Sequence, residues 1–319
     1  MSELIGHEQA WREWNSAMGS ARMHHAWILT GLKGLGKGQF ARAAAAALVA
    51  EPGMAQPPID MHPDILIPEH PPENKEEVKK RDDGQPYRRK RSIPIDEVRA
   101  LQRRLTTRPT LGNRRVVIID PADDLEKSAA NALLKSLEEP PQGTFFLLVT
   151  HRLGRLLPTL RSRCRILRFS SLTDAQIAAI VAAAAPQADV ATRAAAVAAA
   201  EGSPGAALDF VDQDLGKLHT VMLRLIAEGD EHFVLRGALA EEIGMRPDRE
   251  RQQAAVDLAR AVVAAQLGRD PRRDGAVIDA HSELVRLAGQ LPTYNFDSGL
   301  VAMELGALLA GLAMPRETA

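Results

Sequence analysis

The segment GLKGLGKGQF, residues 31–40, lies between an apolar run, AWILT at 26–30, and an alanine-rich run, ARAAAAALVA at 41–50. Its glycines and lysine have the Gly-x-x-x-x-Gly-Lys spacing of a loop that binds phosphate through backbone N–H groups at the start of a helix. The spacing therefore predicts a strand, a phosphate-binding loop and a helix in succession. The candidate nucleotide-binding residues are Gly31, Gly34, Gly36 and Lys37.

The position after the lysine departs from this pattern. A phosphate loop that supports hydrolysis has Ser or Thr there, because the hydroxyl oxygen holds a magnesium ion, whereas this sequence has Gly38. We expect the loop to keep some affinity for phosphate, with weak binding of ATP or ADP, but to lack the metal ligand. A glycine-rich turn that binds nothing is the alternative interpretation.

A second acidic strand bears on hydrolysis. The run RVVIID ends at Asp120, and a magnesium-supporting aspartate lies at the tip of a central strand in hydrolytic enzymes of this kind. Such an enzyme would also need a glutamate base beside it, but Pro121 follows and accepts no proton. Asp123 and Asp124 are alternative bases, although capping of the next helix is the favoured interpretation of both.

Apolar runs alternate with helical stretches between residues 24 and 170. This alternation predicts an α/β domain with a parallel sheet covered by helices on both faces. After Phe169 the sequence has only alanine-rich and amphipathic helical patterns. We therefore expect three domains: an α/β domain at 1–170, a small helical lid at 171–210 and an all-α domain at 211–319. The expected strands are Ala26 to Thr30, Asp64 to Ile67, Arg115 to Asp120, Thr144 to Thr150 and Arg165 to Phe169.

The overall composition excludes some classes of protein. The formal net charge is −1, so no global field attracts the chain to DNA or to an anionic membrane. No apolar run approaches the roughly 20 residues that a membrane span requires, and the N-terminal stretch lacks the pattern of a signal peptide. With a single cysteine, Cys164, these features favour the cytoplasm. The charged run at 73–91 is interpreted as surface loop; its basic end, RRKR at 88–91, is an alternative nucleic-acid contact to which we assign no role.

Several motifs resemble one family. They are NALLKSLEEPP at 131–141, the triplet Ser162, Arg163 and Cys164, HPD at 62–64 and GSPGAAL at 202–208. Together with the loop they are similar to the AAA+ module of bacterial clamp-loader subunits. Motor-type subunits of that family keep the loop hydroxyl and the acidic pair, so the departures noted above resemble the delta-prime branch of DNA polymerase III subunits.

The resemblance implies a P-loop sheet domain, a lid and a helical collar that assembles a ring of five subunits. It also implies that Arg163 acts as an arginine finger in the ATP site of a neighbouring subunit, while the chain itself hydrolyses little or no ATP. A surface arginine in a basic turn is the alternative for Arg163. The implied partners are the motor subunits tau and gamma, the delta subunit and, through the complex, primed DNA, within a DNA-directed DNA polymerase holoenzyme, a nucleotidyltransferase complex.

The resemblance gives smaller roles to other positions. Thr150 occupies the place of a polar sensor of the terminal phosphate, with an ordinary strand end as the alternative. Cys164 is expected to be an inert, buried thiol. Many relatives bind zinc through four cysteines in an insertion after the first helix, where this chain offers only His62 and His70. We expect no zinc and no required cofactor.

Two other functions remain open from the sequence. In the first, the chain is an active AAA+ ATPase of the motor type, with Gly36 and Lys37 binding ATP and Asp120 binding magnesium. In the second, the loop belongs to a small-molecule kinase. A kinase needs a substrate pocket, and the alanine-rich C-terminal third favours helix packing instead.

Overall fold

The computed structural model describes residues 5–20, 22–244, 249–291, 294 and 296–313. It divides into two compact units, Met1–Ser171 and Leu172–Ala319. The first contains a parallel sheet with helices and the second is helical, so the predicted fold class is confirmed. The finer division of the helical part at residue 210 stays a prediction.

The first unit is built on a five-stranded sheet in the order β2-β3-β4-β1-β5, in which every pair of neighbours is parallel. Its central strands are apolar and almost wholly buried, as expected for a sheet covered on both faces. The strands coincide with the five predicted runs to within one residue at each end. They are β1 Ala26–Thr30, β2 Ile65–Leu66, β3 Arg115–Ile119, β4 Thr144–Thr150 and β5 Arg165–Arg168.

Two layers of helix cover this sheet. On one face, Val98 and Leu133 belong to a core that includes Ile28 and Phe146. Alternate side chains of the strands point to the other face, where Trp27 of β1 contacts Trp14 at a ring distance of 5.3 Å. The helices of this unit are α1 Glu8–Met18, α2 Lys37–Val49, α3 Lys75–Asp82, α4 Ile95–Leu105, α5 Lys127–Glu138 and α6 Pro158–Arg161.

The interpretation of residues 73–91 as loop alone is wrong, because α3 lies within this run. The helix has few apolar residues and so gives no periodic signal. Its start is instead marked by Asn74, whose side chain accepts hydrogen bonds from the backbone N–H groups of Glu76 and Glu77. Acidic residues in its first turn and basic residues in its last turn also suit the helix dipole.

A buried ion pair joins the start of β3 to the segment before β2. The carboxylate of Asp64 accepts hydrogen bonds from the N–H groups of Thr110 and Leu111 and from Nη2 of Arg115, at 2.8, 2.8 and 3.2 Å. Burial acts to raise the pKa of Asp64, but these donors outweigh it and lower the pKa below its usual value. Only 1% of the Asp64 side chain and 5% of the Arg115 side chain are exposed. The HPD motif thus contains a structural anchor.

In the residues that the structure describes, the second unit consists of helices and the turns that connect them. Apolar side chains on one side of each helix are buried; Leu218, Leu239 and Leu284 are examples with no exposed area. In the described ranges no helix is both long and apolar enough to span a membrane. The helices are α7 Asp174–Ala184, α8 Val190–Ala199, α9 Pro204–Asp212, α10 Gly216–Glu228, α11 Val234–Ile243, α12 Arg249–Ala264, α13 Asp274–Gln290 and α14 Ser298–Ala310.

Candidate functional site

The phosphate-loop motif lies between β1 and α2. Gly31 follows the end of β1 so closely against β5 that a Cβ atom there would lie 2.5 Å from the carbonyl oxygen of Phe169. Gly36 precedes the helix with φ of +82°, in the left-handed region that glycine enters without strain. Gly34 also has positive φ. The glycine spacing is therefore required by the path of the backbone.

Lys37 is the first residue of α2 and is only 2% exposed. Its ammonium group donates hydrogen bonds to the carbonyl oxygens of Gly31, at 2.8 Å, and Leu32. Burial lowers the pKa of Lys37 to about 8, although the carboxylates of Asp120 and Asp123 act in the opposite direction. The lysine is thus folded back on its own loop, and an incoming phosphate would have to compete with these two carbonyl groups.

Asp120 lies directly over Gly38. A Cβ atom added to Gly38 would be 2.2 Å from Oδ2 of Asp120, well inside the contact distance of two such atoms. Burial raises the pKa of Asp120, while Arg42 and Lys37 partly offset this effect. The carboxylate therefore fills the space in which a hydroxyl-bearing side chain would stand. Position 38 therefore supplies no side-chain oxygen as a ligand for magnesium.

Thr150 lies at the end of β4 and is fully buried. Its hydroxyl donates to Oδ1 of Asp123 at 3.0 Å, and the N–H of His151 donates to Oδ2 of the same carboxylate at 2.8 Å. Asp123 therefore binds the end of β4 and does not cap α5, so that interpretation of Asp123 is wrong. The physical reason is that β4, which is distant in sequence, offers donors at the right distance.

The expected capping role is also wrong for Asp124. Its Oδ2 atom pairs with Nε2 of His70 at 3.1 Å, and α5 starts after Glu126 without a side-chain cap. Burial raises the pKa of Asp124, an effect that His70 partly offsets. Both acids therefore have partners within the fold, and Pro121 follows Asp120 in the chain.

His151 is a residue of this site that the sequence reasoning did not single out. Burial lowers its pKa to about 4, and the positive charge of Lys37 adds to this effect. Among the described residues, its Nδ1 atom has no hydrogen-bond partner. The signal in the sequence was its position directly after Thr150, at the carboxyl end of a buried strand.

The Ser-Arg-Cys triplet forms the turn between α6 and β5. The guanidinium of Arg163 makes an ion pair with Glu138 through Nη2, and Nη1 donates to the carbonyl oxygen of Thr159 at 2.8 Å. The Ser162 hydroxyl also donates to that carbonyl, at 3.1 Å. Cys164 packs against the core, and burial raises the pKa of its thiol to about 12. At neutral pH the thiol is protonated, which is in keeping with the inert role expected for it.

The loop and the triplet lie at opposite ends of the parallel strands: the loop at the carboxyl ends and the triplet at the amino ends. In the register of β1 with β5, Trp27 pairs with Arg165 and Thr30 pairs with Arg168. The loop follows Thr30, whereas Arg163 precedes Arg165. The length of β5 that separates these two ends is about 10 Å at the usual rise per residue. By contrast, the chain after β3 and the end of β4 lie at the same carboxyl ends of the strands as the loop. The structure thus brings Asp120 and Thr150 together with the loop but not Arg163.

Metal ligands are not assembled in the described part of the chain, where no group of three or more His, Cys, Asp and Glu residues is placed to hold an ion. The two histidines weighed for zinc have other partners. His62 contacts Oε1 of Gln56 through Nε2 at 2.8 Å, and His70 pairs with Asp124. The expectation that the chain needs no zinc stays a prediction.

Comparison with known proteins places the chain in a family. The model of a family described as "DNA polymerase III, delta subunit" matches residues 6–173, just over half of the chain. The chain belongs to this family. It is 34% identical over 175 residues to DNA polymerase III subunit delta' of Pseudomonas aeruginosa, which covers 51% of this chain and 48% of the relative. The resemblance to the delta-prime branch is therefore confirmed.

Other relatives extend this comparison. Subunit delta' of Escherichia coli is 47% identical over 81 residues, which are 25% of this chain and 24% of that protein. Subunit gamma/tau of Mycobacterium tuberculosis is 28% identical over 287 residues, 85% of this chain and 46% of the relative. The chain thus spans about half, or less, of the length of the curated relatives it matches.

A solved structure agrees on the fold. A DNA polymerase III gamma subunit-related protein from Thermotoga maritima superimposes with a TM-score of 0.52 at 19% identity, covering 95% of this chain and 99% of that chain. At this level of identity the likeness concerns the fold alone.

Proposed function

We propose that the chain is the delta-prime component of a clamp loader, a subunit that supports ATP hydrolysis by its neighbours without hydrolysing ATP itself. Its partners would be gamma or tau motor subunits and the delta subunit in a ring of five, with primed DNA reached through the complex. The proposal is supported by the delta' relatives and by the absence of a hydroxyl at Gly38.

One observation carries the proposal: Arg163 lies at the amino ends of the strands, opposite the carboxyl ends at which the chain's own loop lies. From there it does not serve the nucleotide site of the same chain. In the proposed ring, however, an arginine at the amino ends of the strands is able to reach the nucleotide site of a neighbouring subunit. A guanidinium suits this role because it stays charged at any working pH, binds phosphate oxygens in pairs and stabilises the charge that develops during phosphoryl transfer.

The test of the exported arginine is Arg163→Ala in a complex reconstituted with gamma or tau and delta. An arginine finger contributes about 10³-fold or more to turnover at the site that receives it. We expect the DNA-dependent ATPase rate of the complex to lose the entire contribution of the site that receives Arg163. Assembly of the complex, measured by native mass spectrometry, should be unchanged. Arg161→Ala is the matched control, since Arg161 is the last residue of α6, two positions before Arg163, and is exposed. An ATPase rate unchanged by Arg163→Ala would rule out the proposed role.

The test of the chain's own site uses the purified chain. We expect no magnesium-dependent release of phosphate from ATP, because position 38 supplies no oxygen and Pro121 replaces the base. ATP and ADP should bind weakly, since Lys37 must give up two carbonyl partners. Brisk hydrolysis that Lys37→Ala abolishes would instead identify the chain as an active ATPase of the motor type.

A further inference from the structure

Arg163, the arginine proposed to act in trans, is bound to its own chain. Nη2 is paired with Oε1 of Glu138, the last residue of α5. On its other side, Nη1 donates to the carbonyl of Thr159 at 2.8 Å and, more weakly, to the hydroxyl of Ser162 at 3.4 Å. Both terminal nitrogens of the guanidinium are thus engaged, so the Glu138 carboxylate competes with any phosphate that would take Arg163 as a paired donor.

Local structure explains why Glu138 needs a cation. Glu138 and Glu139 are adjacent at the C-terminal end of α5, where the partial negative charge of the helix dipole disfavours acidic side chains. Lys135 is the basic residue in the last turn of the helix. Arg163 comes from a turn 25 residues further along the sequence and supplies a second positive charge, so the pairing relieves an unfavourable local arrangement.

The pair is strong enough to bias the arginine and weak enough to open. The Arg163 side chain is 33% exposed and that of Glu138 is 49% exposed. Exposed pairs of this kind shift an equilibrium by up to about fivefold, since solvent screens the attraction. Phosphate oxygens on a nucleotide carry more negative charge than one carboxylate and accept the planar guanidinium in pairs. They are therefore able to displace Glu138.

We propose that Glu138 is a positioning residue that holds Arg163 in a parked position on its own subunit, from which an anionic phosphate group of a neighbouring subunit draws it away. This inference rests on the proposed role of Arg163 in trans. The exchange takes place within the assembled complex: the Arg163–Glu138 ion pair breaks, one between Arg163 and phosphate forms, and the Glu138 carboxylate is left to water.

The first test uses the chain alone and does not depend on any partner. An arginine-selective dicarbonyl reagent is applied at neutral pH, and modification of Arg163 is followed by peptide mass spectrometry. Glu138→Ala removes the acceptor, so Arg163 should react about two- to fivefold faster. Glu139→Ala, which removes the same charge one residue further on, should leave its reactivity unchanged. Equal reactivity in the wild type and in Glu138→Ala, or an equal increase in both variants, would show that Glu138 does not hold the arginine.

The second test uses the reconstituted complex with gamma or tau, delta and DNA. Glu138→Ala should raise the ATPase rate at saturating chain by up to about fivefold, because more of the arginine is available, and should leave the half-saturating concentration unchanged. A lower rate would overturn the proposal, since it would mean that Glu138 places Arg163 productively. A change only in the half-saturating concentration would also overturn it, because that result indicates a role in assembly.

The double variant separates this inference from the function on which it rests. In an Arg163→Ala background, Glu138→Ala should have no effect on the ATPase rate. If Arg163→Ala alone has no effect, the role in trans fails while the dicarbonyl test still decides the parking contact. If Arg163→Ala lowers the rate and Glu138→Ala leaves it unchanged, the role in trans stands and the parked position is refuted.

Discussion

The close contact between Gly38 and Asp120 predicts an unusual reversal in the effect of one substitution. In Gly38→Ala the new Cβ atom would lie 2.2 Å from Oδ2 of Asp120, so the carboxylate has to move by about 1 Å or more. Overpacking of this kind costs about 1–3 kcal/mol. Replacing glycine by alanine in a helix returns up to about 1 kcal/mol. We expect a net loss of roughly 1–2 kcal/mol in the wild-type background.

In an Asp120→Ala background the obstructing atoms are absent. Gly38→Ala should then stabilise the first unit by up to about 1 kcal/mol, through helix propensity alone. The substitution therefore changes sign between the two backgrounds. Asp120→Asn is the matched control, because it keeps the shape of the side chain and removes the charge. In that background Gly38→Ala should again destabilise, since the conflict is steric.

Tryptophan fluorescence during thermal unfolding measures this effect in the first unit alone. All three tryptophans lie between residues 11 and 27, and Trp14 and Trp27 are fully buried. For a unit of this size, 1 kcal/mol corresponds to about 2–4 °C in Tm. Gly38→Ala should lower Tm by roughly 2–8 °C in the wild type and raise it in Asp120→Ala. Equal shifts in both backgrounds would refute the claim that Asp120 occupies the space of the missing side chain.

Three further predictions follow from buried groups. Asp64→Ala should destabilise the first unit by about 3–5 kcal/mol in urea unfolding, because it leaves a buried arginine unpaired; the exposed Asp60→Ala should cost under about 1 kcal/mol. Folding lowers the pKa of Asp64, so its carboxylate contributes to the free energy of unfolding above about pH 4, its ordinary pKa in an unfolded chain, and this contribution should be lost as the pH falls further. A contribution that does not change between about pH 2 and pH 6 would contradict this. Gly31→Ala should cost about 3 kcal/mol in the same assay, because the backbone of Phe169 cannot move aside, and a neutral effect would show that the loop adapts. Cys164 should react with an aromatic disulfide reagent at pH 8 only after unfolding, since burial raises its pKa to about 12; rapid labelling of the native chain would contradict the buried position.

Features encoded by short stretches of sequence were predictable. The apolar runs predict the parallel strands because the central runs, β1, β3 and β4, are buried on both faces and are recognisable without knowledge of their partners. The glycine spacing at 31–36 predicts the strand–loop–helix path because only glycine meets its backbone requirements. The absence of a hydroxyl at position 38 is also legible directly, since it concerns the identity of one residue. The short helix α3 was missed because its stabilising features are polar and lack the apolar period.

Partners of individual side chains required the tertiary structure. Asp123 is near α5 in sequence, but the donors of β4 claim it because parallel pairing brings the end of β4 beside the chain that follows β3. Likewise, Asp120 meets Gly38 across 82 residues, and Arg163 meets Glu138 across 25. The parallel pairing of β1 with β5 separates Arg163, which precedes β5, from the loop, which follows β1. Sequence alone therefore determines which local structures and chemical groups this protein possesses, because backbone preferences and burial patterns act over a few residues. Tertiary structure decides which of those groups meet, because that depends on how strands distant in sequence align.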